Sequence, residues 1–273
     1  MTTAVSVFQE LHRTGCFVMP NPWDAGSAVY LRHLGFKALA TTSAGFAFSR
    51  GLPDRLWAFS RDEMLAHVRD LVAATPLPVS ADFQSGFAED AEGVEKSVAL
   101  CVAAGAAGLS IEDATGKDEA PLYEHAIALE RVKAARRAID ASKIPVVLTA
   151  RCEAFLVGAP DPLRTAIDRL VSFADAGADC LFAPRVRDPK EITAIVKAVS
   201  PKPVNVLVTM PGLTVRQLAD LGVRRISVGS TLARTAWGAF TRAARSIADN
   251  GTFEDFAGAA GFQELDDVFL KRS

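Results

Sequence analysis

Eight short apolar runs recur along the chain with helix-period segments between them, and this alternation limits the fold more than any other feature of the sequence. The runs cover residues 16–19, 37–41, 78–82, 107–112, 145–150, 178–183, 203–208 and 225–229. None shows clear polar alternation, which is the pattern of strands covered on both faces. Between them lie one-sided apolar stripes such as Val94, Val98, Cys101 and Val102, or Ile167, Leu170, Val171 and Ala174, with Val215, Leu218 and Leu221 a third. Helices packed on a sheet need such stripes. Gly35, Gly105, Gly177 and Gly222 precede the even runs, where a left-handed helix stop is useful, and Pro78, Pro145 and Pro203 open the third, fifth and seventh. The pattern predicts an α/β chain folded as a (β/α)8 TIM-type barrel, one domain over residues 1–273 with 250–273 as a C-terminal helical extension. An open doubly wound sheet would want a glycine-rich phosphate turn after its first strand, and Pro20-Asn21-Pro22-Trp23 is not one.

The 273 residues, 49% hydrophobic and 23% charged, suffice for a single core of that size. A net charge of −2 without a basic patch argues against nucleic acid as a partner. No apolar run approaches the ~18 residues of a membrane span, and Met1 to Ser6 lack the basic and apolar regions of a signal peptide. The four cysteines form no CxxC pair; Cys16, Cys101 and Cys180 sit in apolar stretches and read as small buried hydrophobes, which suggests a reducing, cytoplasmic setting. The tail carries Phe253, Phe256, Phe262, Leu265, Val268, Phe269 and Leu270, apolar surface that a neighbouring subunit could cover.

In a barrel of this kind the loops after the strands build the site. Those positions hold Asn21 and Asp24, Thr42, Ser43 and Asp54, Asp82 and Gln84, Glu112 and Asp113, Arg151 and Glu153, Arg185 and Thr209, with Asn205 inside the seventh run. Asp82 and Glu112 fall on adjacent strands, and hard oxygen donors of that type suit Mg²⁺, which keeps several waters. No His/Cys cluster favours zinc; His12, His33, His67 and His125 read as surface or helix-packing residues. Arg151 has the fork that matches a substrate carboxylate, although an ion pair with Glu112 or Glu153 would explain it equally simply. Asp82 and Glu112 could be loop caps, and Asp24 could cap the first barrel helix.

Six ordered stretches carry a resemblance. They are Asn21-Pro22-Trp23-Asp24-Ala25-Gly26-Ser27-Ala28, Thr41-Thr42-Ser43-Ala44-Gly45, residues 81–87, Ser110-Ile111-Glu112-Asp113, Thr149-Ala150-Arg151 and residues 222–229. Together they resemble the phosphoenolpyruvate mutase/isocitrate lyase superfamily from about residue 8 to 245. The resemblance implies a barrel whose eighth helix is often swapped between subunits in homodimers or homotetramers, and a Mg²⁺ or Mn²⁺ cofactor. It implies a small 2-oxo or 2-hydroxy carboxylic acid substrate whose C–C or C–P bond is handled through a metal-bound enolate. By position, Asp82 would be the principal metal carboxylate, with Gln84 and Glu112 holding metal-bound waters. Thr42, Ser43 and Ala44 would bind a carboxylate, Arg151 would hold substrate and Asp54 would lie near the reacting end; Asp54, Arg151 and Glu112 are then the catalytic candidates, and Asn205 is a further candidate for binding substrate. Residues 114–122 would form a gating loop. That loop lacks both the lysine-lysine-cysteine-glycine-histidine motif of the isocitrate and methylisocitrate lyases and the lysine-asparagine-serine pattern of the C–P mutases. Gln84 stands where the family often has a second acid, and Cys152 where threonine is common.

The readings left open are therefore a Mg²⁺-dependent C–C lyase or oxaloacetate-type decarboxylase, C–P chemistry on a phosphonopyruvate-like acid, a non-catalytic 2-oxo acid binder, and a phosphate-binding isomerase using Gly229-Ser230.

Overall fold

The computed structural model describes residues 3–271; the first two residues of the N-terminal stretch and the last two of the 250–273 extension lie outside the described residues. Eight parallel strands follow one another in the chain: β1 (Phe17–Met19), β2 (Leu39–Ala40), β3 (Val79–Asp82), β4 (Gly108–Glu112), β5 (Val147–Arg151), β6 (Cys180–Phe182), β7 (Val204–Leu207) and β8 (Arg225–Ser227). The ladder runs β1-β8-β7-β6-β5-β4-β3-β2, so every consecutive pair from β2 to β8 is joined and β8 returns to β1. At the remaining seam, between β1 and β2, the Ala40 N–H donates to the Pro20 carbonyl at 3.0 Å. Asn21 completes the seam: its Nδ2 donates to the Thr41 carbonyl, and its Oδ1 accepts from the Val228 and Gly229 amides. The expected (β/α)8 barrel is the observed one.

The twelve α-helices among the described residues are α1 (Ala4–Leu11), α2 (Ala25–His33), α3 (Ser43–Ser49), α4 (Arg61–Ala74), α5 (Ala91–Ala103), α6 (His125–Ser142), α7 (Ala154–Val157), α8 (Pro162–Asp175), α9 (Pro189–Val199), α10 (Val215–Asp220), α11 (Thr231–Arg245) and α12 (Phe262–Leu270). The main core lies between their apolar stripes and the outward-facing strand residues, among them Ala81, Leu109, Ile111, Leu148 and Val206. Period-two alternation then leaves Ser80 and Asp82, Ser110, Arg151, Asn205, Arg225 and Ser227 lining the barrel interior. That lining is unusually polar for a fold whose interior is normally filled by branched aliphatics. The N-terminal end of the barrel is plugged by α1. Its Phe8 is fully buried against Gly108, where any side chain would meet the ring at 2.5 Å.

The four glycines expected to stop helices before the even strands all adopt positive φ, between 87° and 97°. Three bland readings are settled. Asp24 caps α2, its carboxylate accepting from the Ser27 N–H at 2.7 Å. Cys101 and Cys180 are buried, whereas Cys16, the residue just before β1, is only half-buried. His12 does more than pack on a helix: its Nε2 meets Arg225 inside the barrel. At the other end of the chain α12 folds back onto α2, burying Val268 and placing Glu264 2.8 Å from the Tyr30 hydroxyl. Of α11, Ala233 is buried, while Trp237 and Phe240 are 42% and 59% exposed. No helix of the described residues is long and apolar enough to cross a membrane.

Candidate active site

The last residues of three consecutive strands converge at the C-terminal mouth of the barrel. Asp82 ends β3, Glu112 ends β4 and Arg151 ends β5, and the register sets Glu112 directly beside Arg151. The Arg151 guanidinium reaches Asp82 Oδ1 at 2.6 Å, Glu112 Oε2 at 3.0 Å and Glu153 Oε1 at 2.8 Å, with Phe182 below its plane. The other oxygen of Asp82 accepts from both the amide (2.9 Å) and the hydroxyl (2.8 Å) of Ser43, at the start of α3. Behind this group, Asp113 accepts from the Glu153 N–H at 2.8 Å and pairs with Arg169 at 3.0 Å, while Arg169 donates to the Tyr123 carbonyl. Glu153 is thereby fixed from two sides.

Negative charge exceeds positive charge among these inward groups: Asp54, Asp82, Glu112, Asp113 and Glu153 face Arg151 and Arg169. Burial dominates the titration of these acids, and repulsion between them adds to it at Glu112, Glu153 and Asp54. Burial, only partly offset by Arg151, pushes Glu112 up to about 8. Burial likewise raises Glu153 and Asp113. Asp54 is raised by burial and then by the charge of Asp82. The second oxygen of Glu153 is buried without a hydrogen-bond partner. A divalent cation fits such a set on two counts: the donors are hard oxygens, and the net negative charge is of the size it would offset. Among the described residues no three His, Cys, Asp or Glu side chains are arranged to ligate an ion unaided. The fit is therefore to an ion that retains waters, as Mg²⁺ does.

A cavity of about 280 Å³ opens beside Arg151 and is lined by Asp54, Gln84, Glu112 and Ser43. Its outer wall is the 114–122 loop, folded as a small hairpin in which Ala114 bridges Leu122 and the Thr115 N–H donates to the Pro121 carbonyl. Gly116, at φ +76°, packs on Leu56, so this loop and the Asp54 loop close on each other. Gln84 itself has φ +47°. Its carbonyl accepts from the Glu112 N–H, tying the turn after β3 to the end of β4.

Asp54, Asp82, Gln84, Glu112, Ser43 and Arg151 are thus brought together. Thr42 lies at the same rim, but its hydroxyl caps α3 by accepting from the Gly45 N–H, and Ala44 follows in the first turn. Asn205 points into the barrel, where it binds Arg225 and Ser227. Arg185 is exposed and Thr209 lines a separate apolar recess by Met210. The Gly229 amide that a phosphate would need is already bonded to Asn21. Cys152 is buried beside Asp113, and burial followed by that carboxylate raises its thiol far from thiolate range. Sequence reasoning missed the Asp113–Arg169 support and the Arg225 cluster. The one available signal was the period-two spacing of Arg225 and Ser227, which sets both on the interior face of β8.

The sequence pattern of the phosphoenolpyruvate phosphomutase family matches residues 8–248. A crystal structure from Burkholderia cenocepacia, of a protein provisionally classed as a lyase/mutase, superposes with a TM-score of 0.93 at 48% identity, covering 97% of this chain and 95% of that one. An uncharacterised protein of Mycobacterium tuberculosis is 33% identical over 245 residues, 89% of each chain. A 2-methylisocitrate lyase of Salmonella typhimurium is 35% identical over 164 residues, 58% of this chain and 54% of that protein. The family match begins in α1 and runs past α11, so it spans every strand end that builds the mouth of the barrel; the chain belongs to the phosphoenolpyruvate mutase/isocitrate lyase superfamily.

Proposed function

We propose that the protein is a Mg²⁺- or Mn²⁺-dependent carbon–carbon lyase acting on small 2-oxo or 2-hydroxy di- or tricarboxylic acids. The observation that carries this reading is the Arg151 guanidinium set among Asp82, Glu112 and Glu153, facing a cavity of about 280 Å³. A site of that size and polarity suits an acid of a few carbons. Asp82 would hold the ion, with Gln84 and Glu112 ordering its waters, and the chemistry supplied there is fixed positive charge beside the oxygen on which charge develops.

The chain's own groups do the rest. Arg151, already oriented by three carboxylates, presents its remaining donor capacity to a substrate carboxylate or carbonyl oxygen. When the bond next to the carbonyl breaks, its electron pair moves toward that oxygen, and the guanidinium stabilises the resulting charge. Asp54, raised by burial, holds a proton more readily than an ordinary carboxyl and, lining the same cavity as Arg151, would be the group to deliver one to the enolate carbon. The 114–122 loop and Leu56 exclude water. The missing catalytic-cysteine motif in that loop, with Cys152 buried, points away from 2-methylisocitrate itself and toward smaller acids, decarboxylation of oxaloacetate-like substrates included.

The deciding experiment is a panel of 2-oxo and 2-hydroxy acids with and without Mg²⁺, following release of pyruvate, glyoxylate or carbon dioxide. Turnover of at least one acid, dependent on the ion, is expected, and Asp82→Ala lowers it by at least 10²–10³-fold, roughly the loss of one key transition-state contact. Tight binding of a 2-oxo acid without turnover of any acid defeats the lyase reading. We further propose that the protein self-associates through α11, because Trp237 and Phe240 form an exposed aromatic pair with ring centroids 5.3 Å apart.

A further inference from the structure

Below the active-site mouth the barrel interior contains a guanidinium with no matching charge. Arg225 is 2% exposed. Its donors go to Asn205 Oδ1 at 2.9 Å, Thr149 Oγ1 at 3.0 Å and His12 Nε2 at 3.1 Å. All three partners are neutral. The His12 Nδ1 lies 2.7 Å from the Phe8 carbonyl, so that nitrogen carries the proton and Nε2 is left to accept from Arg225. Among the described residues no carboxylate lies within ion-pair distance of Arg225; Asp82, the one acid lining the same cavity, is engaged by Arg151. A buried cation in this state is costly unless something compensates it.

The space beside it can accommodate a compensating group. Arg225 lines a cavity of about 100 Å³ whose other walls include Ser80, Ser110, Ser227 and Met19. Ser80 and Ser110 are buried and turn their side of the strand toward this cavity. Ser227 accepts from Asn205 Nδ2, which leaves its own proton free to donate. Three hydroxyl donors and a guanidinium around a cavity larger than a water's share of liquid volume, roughly 30 Å³, make a surround for an anion. Carboxylate oxygens approach only from the upper end, where Asp82 also lines the cavity, and this limits the charge of an occupant.

We propose that the base of the barrel is a binding site for one small monovalent anion, of halide to nitrate size, held by Arg225 with the Ser80, Ser110 and Ser227 hydroxyls. The proposal does not require the lyase reading, since Arg225, Ser80, Ser110 and Ser227 do not line the cavity beside Asp54, but its cavity is contiguous with Asp82 and Arg151 of the mouth. Arg151 lines both spaces, so an anion below it would also bear on how strongly Arg151 attracts the substrate above.

The test is made on the full chain. Crystals grown or soaked in sodium bromide are examined for anomalous scattering, and thermal melts are run in bromide, nitrate and gluconate at equal ionic strength. One bromide peak beside Arg225 is expected, together with a saturable rise in Tm of about 3–5 °C at ten times Kd in bromide and nitrate but not in gluconate, which is too large to enter. Arg225→Gln keeps amide donors but removes the charge and should abolish both effects. Ser110→Ala should weaken bromide about tenfold, the loss of one hydrogen bond to a charged partner. If Arg225→Gln does not fold, the wild-type peak and the Ser110→Ala shift still decide. Ordered water alone at Arg225, with melts that respond alike to bromide and gluconate, overturns the proposal.

Discussion

Arg151 is the residue on which the mouth of the barrel depends, and the physics of its replacement differs by substituent. Arg151→Met leaves Asp82, Glu112 and Glu153 clustered without a cation, and chemical denaturation should show a loss of about 3–5 kcal/mol, the usual result of breaking a buried ion pair on one side. Arg151→Lys keeps the charge but not the fork, so stability should fall less while kcat/KM still falls steeply. The same acids set the pH response. Glu112 is raised from the ordinary glutamate value to about 8, so the native state binds its proton more tightly than the unfolded chain does. That contribution is complete below the unfolded value near 4.5 and is lost as pH rises through the folded one. Below the ordinary histidine value of 6.5 the desolvated, neutral His12 and His67 act in the opposite sense, so melts in chelator should fall between about pH 7 and 8, and Glu112→Gln should flatten that fall. A Tm in the wild type that is constant or rising over this window contradicts the assignment. Asp82, Gln84, Glu112 and Arg151 were legible in the sequence because each closes or follows an apolar run, and strand geometry then leaves little choice of direction. Glu153 could be read only as one of two ion-pair partners. Arg225 was hidden because it begins its strand, where a charged residue looks like a surface loop, and because its partners come from α1, β5 and β7.

At the scale of elements, the strands and the helix stops could be read in advance because both follow from short-range chemistry. Apolar runs of four to six residues bounded by glycine or proline leave few alternatives. Gly105, at φ +91° with Val72 3.1 Å from where a Cβ would sit, illustrates the strength of that constraint. Gly105→Ala should cost about 1–2 kcal/mol in a urea melt and leave turnover per folded molecule unchanged. The short helices α3 and α7 were not legible, since four to seven residues carry too little periodicity. Nor was the hairpin at 114–122, which is held by a single bridge between Ala114 and Leu122 and by bonds around Thr115 that no residue pattern announces. There Gly116→Ala, strained at positive φ and crowded by Leu56, should lower kcat/KM with little effect on Tm, because the loop is exposed and contributes little to the core.

For the whole molecule, the barrel was predicted from the count and order of its units, while the course of the last 40 residues was not, because amphipathic helices at a chain end do not specify what they cover. The paired change Trp237→Ser and Phe240→Ser should shift light-scattering mass toward the single chain without altering far-ultraviolet circular dichroism. An unchanged mass with both rings removed excludes α11 as the interface. The barrel's seam bears on the same helix. Between β1 and β2 there is one backbone bond and the Asn21 amide, where every other strand pair has a ladder. Local opening should begin there, so the amides of Ala40, Val228 and Gly229 are expected to exchange with deuterium ahead of those in β4 and β5. Because Asn21 holds the β2 rim with its nitrogen and the turn into α11 with its oxygen, one rupture releases both. Ring closure and the launch angle of the outermost helix are in that sense a single latch.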